Sequence, residues 1–468
     1  MLQKLGFGRT ATVWLCLETA TGKWFAIKVH SAKTSDKDSR EVMATRVLLG
    51  PGGQDHAGAT HVVTPLETFH TNSPNGRHLC SVMPVLGPNL MDWRRHHVLR
   101  NDDRARRLCR QVAEGMDYMH SKGLCHGDFR PGSIFMKLRP GCLDGMTRAD
   151  MWKQFRESPY AEVVGMDGRK SQHAPEWVVA PISAWRFAQY ATDDIAIINF
   201  GEAYAPSTLE PPKALKIPAT LHIPLAYAAP EAAFEAPERR FGKGTDVWAL
   251  ACTLLEVRRG EWLGAGVEDV VRNMEWLIGE AVPFPYRPAA ERMLAEAKAQ
   301  RDGDEGLSLK PLVTPLNQIL GHVQNKEASK ATFTDPIETL IGRYMMNSEG
   351  KIAGTRLKRL NYNLPDKEVI AFVNLLRLVF KYNEKERIST REVVEHPWIT
   401  GKCAEEVPTT KEEDDNLSGI PVFVWIVIAL LAMELSLIPF VNPDLRAVFT
   451  GSTHHQPAPA VPCSAIFF

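Results

Sequence analysis

The stretch Leu124 to Ile134, Leu-Cys-His-Gly-Asp-Phe-Arg-Pro-Gly-Ser-Ile, constrains this chain more than any other. An apolar pair leads into His126, Asp128 follows two residues on, and Pro131 precedes a second apolar run from Ile134. The spacing is that of a phosphoryl-transfer loop, His-x-Asp-x-x-x-x-Asn, in which the Asp takes a hydroxyl proton and the Asn holds a metal. The last position departs from it. Ser133 stands where Asn would offer a neutral oxygen to Mg²⁺.

Upstream, Leu5-Gly6-Phe7-Gly8-Arg9-Thr10-Ala11-Thr12-Val13 has Gly-x-Gly-x-x-Ala-x-Val spacing. A dinucleotide-binding turn has similar glycines, but it opens a helix. Here Val13 to Leu17 is rich in strand formers, a Thr21-Gly22 turn follows, and Trp24 to Val29 is strand-like again. That pattern predicts a glycine-rich hairpin over phosphates. Lys28, in Ala26-Ile27-Lys28, sits where the following strand presents a phosphate-binding lysine. Without the glycines it would read as a solvated lysine on an edge strand. Ser35 to Leu49 reads as a helix capped by Ser35 or Asp36, with Glu41 the candidate ion-pair partner that steers Lys28.

Val62 to Leu66 and His78 to Met83 read as further strands around an Asn75-Gly76 turn. Pro84 to Leu90 is an apolar connector suited to an adenine-binding hinge, and Asp102 to His120 has helix periodicity in Leu108, Val112, Met116 and Met119. Leu138 to Asp193 holds turn residues together with Trp152, Phe155, Tyr160, Trp177, Trp185 and Phe187, too aromatic for a disordered linker. We expect it to pack on the surface as an insertion. Ile195 to Gly201 then returns to the site with Asn199-Phe200-Gly201 in place of a metal-binding Asp-Phe-Gly. Ala229-Pro230-Glu231, Asp246-Val247-Trp248 at the start of a buried helix, and Arg387 as partner for Glu231 complete the ordered set. Roughly Ala289 to Lys367 reads as helical insertions without catalytic content.

The 55 Lys and Arg balance the 55 Asp and Glu, so net charge points to no direct nucleic-acid partner. Eight scattered cysteines form no Cys-x-x-Cys pair, which argues against zinc or dithiol chemistry and for reduced thiols in an intracellular protein. Beyond Trp398, residues 401–419 form an acidic linker and Ile420 to Val441 is apolar, about the length that spans a bilayer core of roughly 30 Å. Glu434 within it would cost on the order of 2–3 kcal/mol near the bilayer centre. This stretch is a candidate transmembrane helix, with a soluble hydrophobic tail as the alternative, and 442–468 follow as a tail.

The ordered motifs resemble those of eukaryotic protein kinases. More narrowly, Val13-Trp14-Leu15, Leu86 to Leu90, His126-Gly127-Asp128-Phe129 and Phe200-Gly201-Glu202 resemble the SR-protein-kinase-like family, especially its fungal members. The resemblance runs from Leu2 to about Thr400, with the chain starting close to the glycine loop as if the first strand were clipped. It implies an α+β, two-lobed kinase-like fold: a small β-rich N-lobe over 1–83 and a larger helical C-lobe over 84–400, interrupted at about 139–193. It further implies ATP in the cleft, Mg²⁺, and phosphorylation of Ser or Thr in Arg/Ser-rich protein substrates. By position, Gly6, Gly8, Val13, Ala26, Met83 (the gatekeeper) and Leu86 would line the nucleotide site, Lys28 with Glu41 would hold the phosphates, and Asp128 would be the base. Arg130 stands near the usual catalytic lysine. The two metal positions, Asn199 and Ser133, are both substituted, so Mg²⁺ is in doubt and transfer is expected to be weak or lost. Gly127 replaces the Arg that grips a phosphorylated activation loop. An active Ser/Thr kinase is the alternative. A small-molecule phosphotransferase also carries His-Gly-Asp-x-x-Pro, but lacks the Ala-Pro-Glu segment.

Overall fold

The β-branched and aromatic residues of Ala11–Leu17 (β2) and Trp24–His30 (β3) pair antiparallel through seven registered positions, from Ala11 opposite His30 to Leu17 opposite Trp24. Gln3–Phe7 (β1) adds to β2, while Glu67–Ser73 (β4) and Gly76–Pro84 (β5) form a hairpin, giving an antiparallel sheet of order β1-β2-β3-β5-β4. The coordinates are a computed structural model. The structure describes residues 2–300 and 366–402, apart from 37–38, 54, 97–101, 156–159, 164–174, 207–212, 235–240, 260–266, 279 and 285.

Two expectations for this lobe need correction. The helix Arg40–Leu49 (α1), capped at Ser39, starts three to four residues later than the caps at Ser35 or Asp36 would place it. The Ser35 hydroxyl instead donates back to the Ser31 carbonyl at 2.7 Å, closing a 3₁₀ turn over Ala32–Thr34. Val62 to Leu66 is not a strand. Val62 makes an isolated parallel bridge to Ile197, and Pro65, which has no amide to give a ladder, precedes the start of β4 at Glu67.

Below the sheet lie Leu90–His96 (α2) and Asp102–Ser121 (α3). Leu108, Val112, Met116 and Met119 of α3 are completely buried, as their spacing requires of one helical face. Ile134–Leu138 (β6) pairs antiparallel with a strand at Ala191–Ile197, and the segment between them builds Arg148–Phe155 (α4), the hairpin Tyr160–Glu162 (β7) and Trp177–Val179 (β8), and a 3₁₀ turn at Ala184–Tyr190; the partner strand of β6 is β9. This insertion does more than lie on the surface. Its Leu143, Met151, Phe155, Ile182 and Phe187 share one apolar cluster with Leu15, Trp24 and Val85 of the upper lobe and connector. The Ile182 amide donates to the Lys4 carbonyl at 2.8 Å, and Trp24 Nε1 donates to the Met146 carbonyl at 2.9 Å. The bond to Lys4 falls on β1, the edge strand of the sheet, and so covers part of its open side.

The lower lobe continues through Pro230–Ala233 (α5), Lys243–Arg259 (α6), Val267–Ile278 (α7) and Arg287–Gln300 (α8), then helices at Asp366–Val379, Thr390–Glu395 and Pro397–Thr400. Ser389 and Glu392 form a capping box on the Thr390–Glu395 helix. Arg387 and Glu231 make a bidentate pair, Nη1 to Oε1 at 2.7 Å and Nη2 to Oε2 at 2.8 Å, with both side chains buried. No helix among the described residues is long and apolar enough to cross a membrane. Residues 420–441, most of the linker and the tail lie outside the described residues, as does 301–365 of the charged region.

Candidate active site

Strand register sets the upper wall. Lys28 of β3 stands opposite Val13 on one side and Ser81 on the other, and Ala26 stands opposite Met83. Lys28 Nζ donates to both Glu41 oxygens, at 2.8 and 2.7 Å, and to Asn199 Oδ1 at 3.2 Å. Burial pushes the Glu41 carboxyl up, but Lys28 and His30 beside it outweigh that and hold it below its ordinary value. His30 Nε2 lies 3.7 Å from Glu41 Oε2; burial depresses its pKa to about 4, against the pull of Glu41. Because α1 packs on the turns at Phe200–Glu202 and Lys213–Leu215, Glu41 ties the upper lobe to the Asn199 segment.

Gly6 pairs with Val13 after a β-bulge, and the Gly8 amide donates to the Ala11 carbonyl at 2.8 Å to close the glycine turn. A Cβ at Gly6 or Gly8 would meet no described protein atom within 4 Å, so the protein's own packing does not demand glycine there. The open space suits a ligand's close approach. Leu86 is half-buried in the connector, which is fixed to β6 by the Gly87 amide on the Met136 carbonyl at 2.8 Å.

The His126 loop is held from below by a residue whose role the sequence reading missed. Asp246, at the start of α6, accepts the amides of His126 at 2.5 Å and Gly127 at 3.0 Å, and faces His120 Nε2 at 3.2 Å. His120, Cys125 and Asp246 have the residue types of a metal cluster, but these bonds already engage Asp246, and burial pushes the Cys125 thiol well up. His126 Nε2 bonds to the Ile198 carbonyl at 3.1 Å, and its ring meets Phe200 edge-on. Gly127 has φ +77°, and a Cβ there would come within 2.3 Å of the Glu202 carbonyl oxygen. An arginine at this position would be both strained and obstructed.

The four residues at the chemical centre are all engaged. Arg130 Nε donates to Asp128 Oδ1 at 3.0 Å. The Ser133 hydroxyl, in a side chain almost wholly buried, donates to the Asp128 carbonyl at 3.1 Å. Asn199 adopts φ +78°, alone among the described non-glycine residues, in the left-handed region that Asn tolerates better than most. Its amide oxygen takes the bond from Lys28. Kinases in general use ATP with Mg²⁺, a hard cation that wants several oxygen ligands and usually a carboxylate. This donor set does not fit it: a neutral amide already bonded to an ammonium, a buried hydroxyl turned to the backbone, and a carboxylate in an ion pair with Arg130. A further contact absent from the sequence reading spans the cleft mouth, where Arg9 Nη2 meets Glu202 Oε1 at 2.6 Å and Glu202 Oε2 meets His222 Nδ1 at 3.3 Å. Ion pairs between residues so far apart in sequence leave no local pattern.

Residues 1–143 match the protein kinase domain family. Among curated proteins, the chain is similar to serine/threonine-protein kinase spk-1 of Caenorhabditis elegans, 30% identical over 146 residues that make up 30% of this chain and 14% of that protein. Protein kinase dsk1 of Schizosaccharomyces pombe is 30% identical over 146 residues, 30% of this chain and 26% of that protein. SRSF protein kinase 3 of Mus musculus is 25% identical over 169 residues, 34% of this chain and 29% of that protein. The matched part thus spans less than a third of each relative. With the strand order, the Lys28–Glu41 pair and the anchored His126 loop, these matches make this a protein-kinase-fold chain that resembles the SR-protein-kinase-like family.

Proposed function

We propose that this chain is a degenerate kinase, its phosphoryl transfer from ATP to Ser or Thr weak or lost and its cleft or surface kept for binding. One observation carries the reading: Asn199 and Ser133, the two metal positions, are turned to Lys28 and to the backbone. If the missing metal contacts are worth about 4 kcal/mol at the transition state, the rate falls roughly a thousandfold. The Arg130–Asp128 pair supports it further, since the base must leave an ion pair before accepting a proton. Similarity to SRSF protein kinase 3 suggests an Arg/Ser-rich protein as substrate or binding partner.

An active kinase is the second reading, favoured by the intact Lys28–Glu41 pair. The test is Asn199→Asp with Ser133→Asn, assayed for transfer to an Arg/Ser-rich peptide. The proposal expects little activity in the parent chain and a gain of at least tenfold in the double variant. Strong activity in the parent, or no gain in a double variant with native circular dichroism, would refute it.

A further inference from the structure

The disagreement between this site and Mg²⁺ has a sign. We infer that the cleft takes a nucleoside polyphosphate as its metal-free anion, with Lys28 and Arg130 as the binding cations, so that Mg²⁺ weakens the complex. The inference rests on the reading of Asn199 and Ser133 as lost metal positions, and it is read out by binding, whereas that reading is tested by transfer.

The charges around the phosphate position follow from the contacts above. Lys28 faces one carboxylate, Glu41, and one neutral amide, Asn199, where the kinase motif would set a second carboxylate. Asp128 faces Arg130. With Asn at 199, the surroundings of Lys28 are one negative charge poorer, and a phosphate approaching its ammonium meets that much less repulsion.

Arg130 is placed to take the metal's part. Its Nε is committed to Asp128, but a guanidinium carries five N–H donors in a planar fork that matches phosphate oxygens. The side chain is 30% exposed, so donors remain for a ligand. Gly132 makes its pose feasible, because a Cβ there would lie 2.7 Å from Arg130 Nη1. The glycine turn above, with open space at Gly6 and Gly8, leaves room for a polyphosphate. A divalent ion riding on those phosphates would bring two positive charges toward two fixed cations, with no free carboxylate among the four central residues to hold it. Metal-free nucleotide brings the complementary charge instead.

The experiment is isothermal titration of the full chain with ATP in EDTA and again in excess MgCl₂ at matched ionic strength, with adenosine as a control. We expect binding in EDTA and an apparent Kd about tenfold weaker with Mg²⁺, a difference of roughly 1.4 kcal/mol. Arg130→Gln should weaken the EDTA complex by about tenfold, with Arg130→Lys recovering part of the loss. Asn199→Asp, a change the left-handed backbone accepts, should reverse the effect of Mg²⁺. Tighter ATP binding with Mg²⁺ in the parent chain, no binding in either buffer, or adenosine binding as tightly as ATP would each overturn the inference. Any of these, found with an inactive parent chain and a rescued double variant, leaves the degenerate-kinase reading standing.

Discussion

Replacing Asp246 by Ala tests whether the His126 loop is held from below. Its carboxylate accepts two buried backbone amides, His126 N at 2.5 Å and Gly127 N at 3.0 Å, and lies 3.2 Å from His120 Nε2. Removing it strands both amides where water has poor access, as Asp246 is 2% exposed and His126 fully buried. Each unsatisfied buried donor costs about 1–3 kcal/mol, so the variant should lose on the order of 2–6 kcal/mol. Asn in its place keeps one oxygen acceptor but turns an amino group toward the second donor, and should fall between. Urea denaturation gives the total. Native-state hydrogen exchange at His126 and Gly127 locates it, because both amides should exchange at least tenfold faster while those of Leu108 to Met116 in α3 change much less. A loss below about 1 kcal/mol with unchanged exchange at the two amides would refute the anchoring role.

Further outcomes can be measured on the same chain. Arg387→Ala leaves the Glu231 carboxylate buried without its bidentate partner and should cost about 3–5 kcal/mol by urea denaturation, with Glu231→Gln in the same chain recovering part of it. His30 is held neutral by burial with a pKa near 4, so its contribution is fully present above the unfolded value of about 6.5 and is lost as pH falls toward 4; His30→Gln should flatten the fall in melting temperature over that window. Trp24→Ala should cost about 3–5 kcal/mol and should speed proteolysis between Leu143 and Phe155, since its indole bonds to Met146 inside the shared apolar cluster. The run 420–441 is proposed as a membrane anchor that keeps the kinase domain on the cytoplasmic face. Carbonate extraction should then leave the full chain in the membrane fraction and release a version ending at Thr400, and equal release would refute the anchor.

What was legible in the sequence was whatever local spacing encodes. Two glycines before a strand-forming run gave the hairpin, the Asn75-Gly76 turn placed β5 but not its partner β4, and a four-residue apolar rhythm gave α3. Lys28 and Glu41 were legible as a pair because a strand and the next helix seldom separate far. Ser35 misled because its hydroxyl serves the chain behind it, a competition that composition does not record. Val62 and Val63 looked like a strand, but Pro65 limits them to a bridge and one hydrogen bond to Ile197. Asp246 and Glu202 were missed as site residues for another reason. Asp246 meets His126 across 120 residues, and Arg9 meets Glu202 across 193, so only the folded chain brings them together.

The insertion between β6 and β9 changes how the cleft can be entered. Two lobes joined by a single connector behave like a jaw, opening to admit a ligand and closing on it. Here the jaw is stitched at its back, through the Ile182–Lys4 and Trp24–Met146 bonds and the apolar cluster that includes Val85. Wide opening must first tear that seam. A ligand then has the front route, past the Arg9–Glu202 clasp on the exposed glycine turn, whose ion pair is cheap to break and quick to remake. Traffic through such a door depends on the clasp more than on the swing of the lobes, and the occupied and empty molecules should differ little in shape.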